Sequence, residues 1–354
     1  MELLQKDKTV SNVDKGIEKR KIYSLHIITP LLLLLFSLNA TDSRAQACCS
    51  GGVPIGGALG LGTAEKASTQ FLLTYDHNVL RDLMDFTTLL DDDTRSRFTR
   101  SALLEVNYGI HERFALTAVL PFIRQERFIR GYNGQTEFTT TQGLGDMIFL
   151  LKYRITNSEK TPHVNWLIGA GPKIPTGRTD LRNNQGLMMV ADMQPGSGSV
   201  DGIFWTFFQK SKFILDQMSL LSIVTFRNSG KNRSYNSSQV YQFGDEFQAN
   251  LGLNYNFLLK WPLDLFLFGR YRSQTVDLID GNTFPGSGGQ WIYAIPGINL
   301  SFTPDISTRI WADWPVYRSL FGAQLTTTYK FSLSLFFNLS RKNEQPIFNM
   351  KFDE

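Results

Sequence analysis

Cysteine is almost absent from this 354-residue chain, and the two that occur, Cys48 and Cys49, are adjacent. Neighbouring thiols cannot staple a small fold, and two ligands cannot close a zinc site within one chain. A structural or incidental role is the first reading for them; soft-metal binding, pairing between chains and acylation of Cys48 are the alternatives. No apolar run reaches the roughly 20 residues of a spanning helix, which excludes a helical membrane bundle. An excess of one charge is lacking too. Seven of the 36 Lys+Arg and five of the 32 Asp+Glu fall in residues 1–47, leaving 29 against 27 for the remainder. So balanced a chain is no electrostatic partner for nucleic acid. Only four histidines occur, and no phosphate-binding loop, dinucleotide fingerprint or zinc signature is present, so no cofactor is expected. What the chain does have is aromatic residues, 13% of the total with 27 Phe.

The N-terminus reads as an export signal over residues 1–47. A basic cluster, Lys19-Arg20-Lys21, precedes the apolar run Ile27 to Leu38, which is too short to span a membrane. Ala45-Gln46-Ala47 then places small residues where cleavage before Cys48 requires them, and Ser43-Arg44-Ala45 fits cleavage before Gln46 nearly as well. Residues 48–65 are Gly-rich and could fold into a lumen as a plug.

The mature chain alternates. Between Gly322 and Leu339 the odd positions from Ala323 to Leu339 are apolar except Thr327, and the even positions are polar or Gly except Phe336. Asp245 to Phe257 repeats the pattern. Twelve strand candidates follow, at 66–77, 100–111, 113–125, 143–155, 163–175, 200–209, 213–227, 245–257, 263–274, 290–303, 306–316 and 322–339. Short connections alternate with long polar ones, notably 78–99, 126–142, 176–199 and 228–244. Long alternating strands with this connection pattern predict an all-β fold, a transmembrane antiparallel up-and-down β-barrel over residues 66–340, with a tail at 341–354. Closure has a physical cause: lipid satisfies no backbone N–H or C=O, so a sheet within it must have no edge. The apolar rows then face acyl chains, and both termini fall on the periplasmic side.

Parity points Glu105, Asp146, Lys152, Lys173, Arg270, Arg272, Arg309, Asp313 and Trp311 into the lumen. Both charge signs mixed with aromatic rings suit a small apolar or amphipathic solute better than a wide aqueous pore. No nucleophile, base and orienting group come together around His77 or His111, so no catalytic residue is expected. Asp91-Asp92-Asp93 reads as a solvated loop face.

Several stretches carry a resemblance: Gly143-Leu144-Gly145-Asp146-Met147 running into Leu151-Lys152-Tyr153-Arg154, then Gly169-Ala170-Gly171-Pro172-Lys173-Ile174-Pro175-Thr176-Gly177, then Gln194-Pro195-Gly196-Ser197-Gly198-Ser199-Val200-Asp201. Across most of residues 66–340 the chain resembles the outer-membrane transporter family of the meta-pathway of phenol degradation. The resemblance implies a barrel distantly similar to channels for long-chain fatty acids and aromatic hydrocarbons. Read from the residues alone, these glycines and prolines are turns and bulges that shape a barrel.

The expectation is therefore a monomeric channel in the outer membrane of a Gram-negative bacterium. Its partners would be membrane lipid and a small hydrophobic or aromatic solute. A structural or interaction barrel with a closed lumen is the alternative, and a phospholipase-type barrel enzyme a further one.

Overall fold

The computed structural model describes residues 64, 66–131, 134–156, 160–257 and 262–339. The export segment, Cys48, Cys49, all but Ala64 of the Gly-rich stretch and the tail 341–354 fall outside them. So does the expected plugging role of residues 48–65.

Seventeen strand segments follow in order: β1 (Thr69–Phe86), β2 (Thr88–Leu90), β3 (Arg95–His111), β4 (Phe114–Arg130), β5 (Thr136–Leu144), β6 (Met147–Arg154), β7 (Val164–Ile174), β8 (Asp201–Ser211), β9 (Met218–Asn228), β10 (Lys231–Tyr235), β11 (Gln239–Gln242), β12 (Glu246–Phe257), β13 (Leu263–Gln274), β14 (Leu278–Ile279), β15 (Asn282–Thr283), β16 (Gly289–Thr303) and β17 (Ile306–Leu339). The main sheet runs β17-β16-β13-β12-β9-β8-β7-β6-β4-β3-β1, and β1 pairs back onto β17. Every pairing in this ring is antiparallel, so the sheet is a closed barrel.

Eleven segments close the ring, and the last makes two passes. β17 folds back at Gly322, whose φ of +88° is a left-handed conformation that glycine adopts without strain. The Asn338 amide donates to the Asp305 carbonyl at 2.9 Å, and Lys330 meets Asp313 at 3.0 Å, so its two halves lie side by side. The first half pairs with β16 and the second with β1. Among the described residues, twelve strand passages surround the lumen.

The outer face is what lipid requires. Leu73, Tyr108, Leu116, Leu151, Ile168, Phe204, Leu251, Leu267, Ile298 and Leu335 are all exposed. Their alternate neighbours point inward and are buried or half-buried. This inversion of the usual burial pattern has no stable solution in water, where such a band would aggregate.

Two expected loops are corrected. Residues 78–99 and 126–142 read as long loops, but β1 continues to Phe86, β3 starts at Arg95, β4 continues to Arg130 and β5 starts at Thr136. Here the barrel wall rises beyond the apolar band. With water rather than lipid outside, the outward positions turn polar and the alternation loses its signal. Residues 228–244, also read as a loop, contain the β10–β11 hairpin, which joins β14 and β15 in a separate four-stranded sheet.

Orientation has a direct check. An epitope inserted at Asn184, between β7 and β8, is expected to be labelled on intact cells. One inserted at Glu112, in the short β3–β4 turn, is expected to stay hidden. The reverse pattern would invert the barrel.

Candidate functional site: a charged lumen and its inserted loop

The inward rows carry charge deep inside the barrel. Glu105, Asp146, Lys152, Lys173, Arg270, Asp313 and Trp311 are all buried. Arg272 is nearly so, with 13% of its side chain exposed. Arg309 differs: it is exposed, three residues into β17, and its guanidinium lies 5.6 Å over the Phe266 ring.

These side chains meet one another. Lys173 Nζ is 2.7 Å from Asp146 and 3.0 Å from Asp201. Arg227 lies 4.0 Å from Asp201 and 3.4 Å from Glu246, and Glu246 is 3.1 Å from Arg272. Further around the wall, Arg270 meets Asp313 at 2.6 Å, Asp313 meets Lys330 at 3.0 Å, and Lys330 is 3.8 Å from Asp76. Lys152 and Glu105 make a separate pair at 3.5 Å. Six carboxylates and six cations thus compensate one another within the barrel. A buried charge that lacks a partner is strongly destabilising, so each group depends on its neighbours. Two strand-to-strand chains result, one from β6 to β13 and one from β13 through β17 to β1.

Between β7 and β8 an exposed hairpin at residues 182–188 is followed by a stretch that enters the lumen. Met189, Ala191, Met193, Gln194, Ser197 and Ser199 are buried. Asp146 ties both ends of this loop. One carboxylate oxygen accepts from the Gly177 amide at 3.1 Å, and the other accepts from the Ser197 amide at 2.9 Å and its hydroxyl at 2.6 Å. Lys173 Nζ donates to Ser197 Oγ at 2.5 Å. The barrel wall holds the middle of the loop. Arg97 pairs with Asp192 at 2.7 Å, Gln125 Nε2 donates to the Asp192 carbonyl, and Thr141 Oγ1 donates to the Met193 carbonyl. The loop ends cross so closely that a Cβ on Gly177 would stand 2.6 Å from the Gly196 Cα. Gly177→Val is accordingly expected to unseat the loop and speed protease cleavage within residues 178–196. Unchanged cleavage would show that the crossing tolerates a side chain.

Above the loop, the second sheet makes a cap. Tyr241 and Phe243 pack on Ala191, with Tyr235 and Ile279 beside them. Burial raises the Asp277 carboxyl above its usual range, although the Tyr241 hydroxyl (2.6 Å) and the Gly244 amide (2.8 Å) donate to it and oppose the shift. A carboxyl raised on folding contributes fully below its unfolded pKa, and that contribution is lost as pH rises through the folded value. After division by the intrinsic, pH-dependent exchange rate, the protection factors of the amides of residues 239–242 are thus expected to be larger in acid than at neutral pH. Asp277→Asn should flatten that dependence; a dependence kept in the variant would point to another group.

Two apolar clusters line the lumen as well. One joins Leu103, Leu150, Leu167, Ile203, Trp205 and Phe207; the other joins Trp291, Tyr293, Trp311 and Leu320, with Phe266 and Phe268 against it. Cations sit on their rings: Lys152 Nζ lies 4.5 Å from the Trp205 centroid and the Arg272 guanidinium 4.6 Å from that of Trp291.

Residues 87–335 match the family described as "Putative MetA-pathway of phenol degradation". The chain belongs to this family. Among solved structures, an outer membrane channel from Pseudomonas putida F1 is 13% identical at a TM-score of 0.61, covering 79% of this chain and 98% of that one. The toluene transporter TodX of P. putida is 10% identical at a TM-score of 0.42, covering 77% and 91%. A FadL homologue from Pseudomonas aeruginosa is 10% identical at 0.38, covering 84% and 98%. No curated protein sequence matches this one. The first of these likenesses is one of fold, an outer-membrane barrel, and this member of the phenol-degradation family is a barrel of the Gram-negative outer membrane.

Of the nine candidates in this family member, eight are buried or nearly so and Arg309 is exposed. Asp201 was not singled out, because it reads as the exit of a Gly/Ser turn; neither was Asp76, although its parity in the first strand is inward. The inserted loop carried a weaker signal in Ser197 and Ser199, small polar residues able to enter a crowded lumen.

Proposed function

We propose that the protein is a monomeric, passive channel for small hydrophobic or aromatic solutes, without covalent chemistry. The observation that carries this reading is the lumen itself: its charges are mutually compensated, while indole and phenyl rings line the space between them. Such a surface presents no unbalanced field to draw in ions of one sign, and it offers flat apolar contacts to a ring-shaped solute. Membership of the phenol-degradation family supports the same class of solute, as does the name of the toluene transporter TodX among the structural neighbours. Glu105, Asp146, Lys152, Lys173, Arg270, Arg272, Arg309, Asp313 and Trp311 line the proposed path. The loop held by Asp146 and Lys173 would have to yield for a solute to pass. A monomer is supported by outward apolar rows around the ring, which lipid alone can cover. A hydrolase gains nothing here, since His111 is exposed at the end of β3.

The test is uptake of a radiolabelled monoaromatic compound at limiting concentration by cells with and without the protein. Faster entry of the aromatic, with no gain for a sugar of similar size, is the expected result. Equal gains for both would assign a general pore, and no gain for either would assign a closed structural barrel. Trp311→Ala is expected to slow aromatic entry several-fold without altering the amount of folded barrel, measured by its heat-dependent gel mobility.

A further inference from the structure

The outer wall carries one basic site that the lumen does not need. On β1, β3 and β4 the outward apolar rows end at a common level. The row on β4 runs Phe114, Leu116, Ala118, Leu120, Phe122 and then turns to Arg124. The row on β3 runs Ile110, Tyr108, Val106, Leu104, Ala102 and then turns to Arg100. On β1, Phe71, Leu73 and Tyr75 give way to His77. The register places His77 directly opposite Arg100, and Arg100 directly opposite Arg124.

Two guanidiniums directly opposite each other on one sheet face repel. Glu126 offsets part of this, since its Oε1 lies 3.0 Å from Arg100 and 2.8 Å from Arg124. Arg81 adds a third guanidinium, 5.5 Å over the Phe98 ring, and Phe98 also stacks on His77. Two fixed cations thus share one carboxylate with a third guanidinium close by, and the Arg100 and Arg124 side chains remain 38% and 46% exposed. Elsewhere at this end of the barrel the outward rows finish on rings such as Phe204, Phe226, Phe247 and Tyr271, the ordinary aromatic edge of a membrane barrel.

Position identifies the occupant. From Phe114 to Phe122 the apolar row covers about 20–25 Å of tilted strand, close to the height of an outer-membrane apolar band. The arginines therefore stand at the headgroup level on the long-loop side. With that side outward, the headgroups there belong to the outer leaflet. A guanidinium fork matches phosphate oxygens in geometry and charge.

We propose that Arg81, Arg100 and Arg124 form a binding site for the phosphate of an anionic glycolipid of the outer leaflet, with its acyl chains against Phe122 and Ala102 and its sugar against Phe98. The site holds a lipid in register with β1–β4 and is independent of what passes through the lumen.

The purified barrel in neutral detergent is titrated with diphosphoryl lipid A, with its fully dephosphorylated form and with inorganic phosphate, and complexes are counted by native mass spectrometry. Diphosphoryl lipid A should bind at least tenfold more tightly than the dephosphorylated form, and phosphate alone should not compete at equal concentration. Arg100→Gln combined with Arg124→Gln should abolish that difference, while Arg178→Gln, in a loop ion pair with Asp180, should leave it intact. If the double variant does not fold, the half-exposed Arg124→Gln alone carries the comparison, with Arg124→Lys restoring part of the binding. Equal binding of both lipids, or a difference that survives the substitutions, overturns the proposal. Competition by phosphate alone would assign a free-anion site instead. Failure here leaves the solute reading untouched, and failure of uptake leaves this site untouched.

Discussion

Lys173→Met is expected to destabilise the barrel by about 3–5 kcal/mol, the usual cost of removing one partner from a buried ion pair. The ammonium lies between Asp146 and Asp201, at 2.7 and 3.0 Å, with 1% of its side chain exposed. Without it, Asp146 keeps the amides of Gly177 and Ser197 but loses its countercharge. Asp201 keeps only the longer contact to Arg227 among its ion pairs. The effect should appear as a lower denaturant midpoint in detergent. It should also appear as larger or more frequent conductance steps in planar bilayers, since the inserted loop is tied through the same atoms. Adding Asp146→Asn to Lys173→Met should recover part of the stability, because the orphaned carboxylate is then neutral. The loop would stay loose. A variant as stable and as quiet as the parent would mean that Lys173 neither supports the wall nor holds the loop.

Leu253→Arg should cost about 2–4 kcal/mol, the penalty for a cation near the midplane of an outer-membrane barrel. Leu253 faces outward between Leu220 of β9 and Leu267 of β13, its direct cross-strand neighbours. Arginine there would have to reach several residues along the wall to find a headgroup. Asn254, one residue on, points into the lumen between Ser219 and Phe266. Asn254→Arg should therefore cost far less, because Arg309 and Asp264 already keep that part of the interior polar. Reversible unfolding in lipid vesicles measures both. Equal costs would remove the assignment of Leu253 to the lipid face.

The difference between those neighbours is the kind of information the sequence carries well. A period of two is local, so Leu251, Leu253 and Tyr255 declare one face and Gln248, Asn250 and Asn254 the other without any knowledge of the partner strands. The candidates from Glu105 to Asp313 were placed inside by that rule alone. What the rule cannot supply is height. Asp146, Asp201 and Glu246 come together because shear brings the ends of β6, β8 and β12 to one level, a property of the whole ring. The rule also needs lipid on one side. Arg95 to Thr99 and Gln125 to Arg130 belong to strands, yet they lie beyond the acyl chains, where both faces meet polar surroundings and the alternation fades. The β10–β11 hairpin escaped for a different reason. Its packing onto Ala191 depends on a loop that enters the barrel, and no local pattern records where a loop goes.

The seam between β1 and β17 sets a limit on how the molecule is made. Thr69 pairs with Leu339 and Leu72 with Phe336, partners at opposite ends of the described residues. Every other pairing in the ring joins wall strands that follow one another along the chain, with at most a short hairpin or edge strand between them. The seam cannot begin until the final strand exists, and bringing such distant segments together carries the largest loop-closure entropy in the fold. Until then both edges are open, with their backbone groups unpaired, in an environment that tolerates no unpaired edge. Insertion and closure must therefore be coupled late events, and a chain truncated within residues 322–339 would be left as an uninserted sheet rather than a leaky barrel.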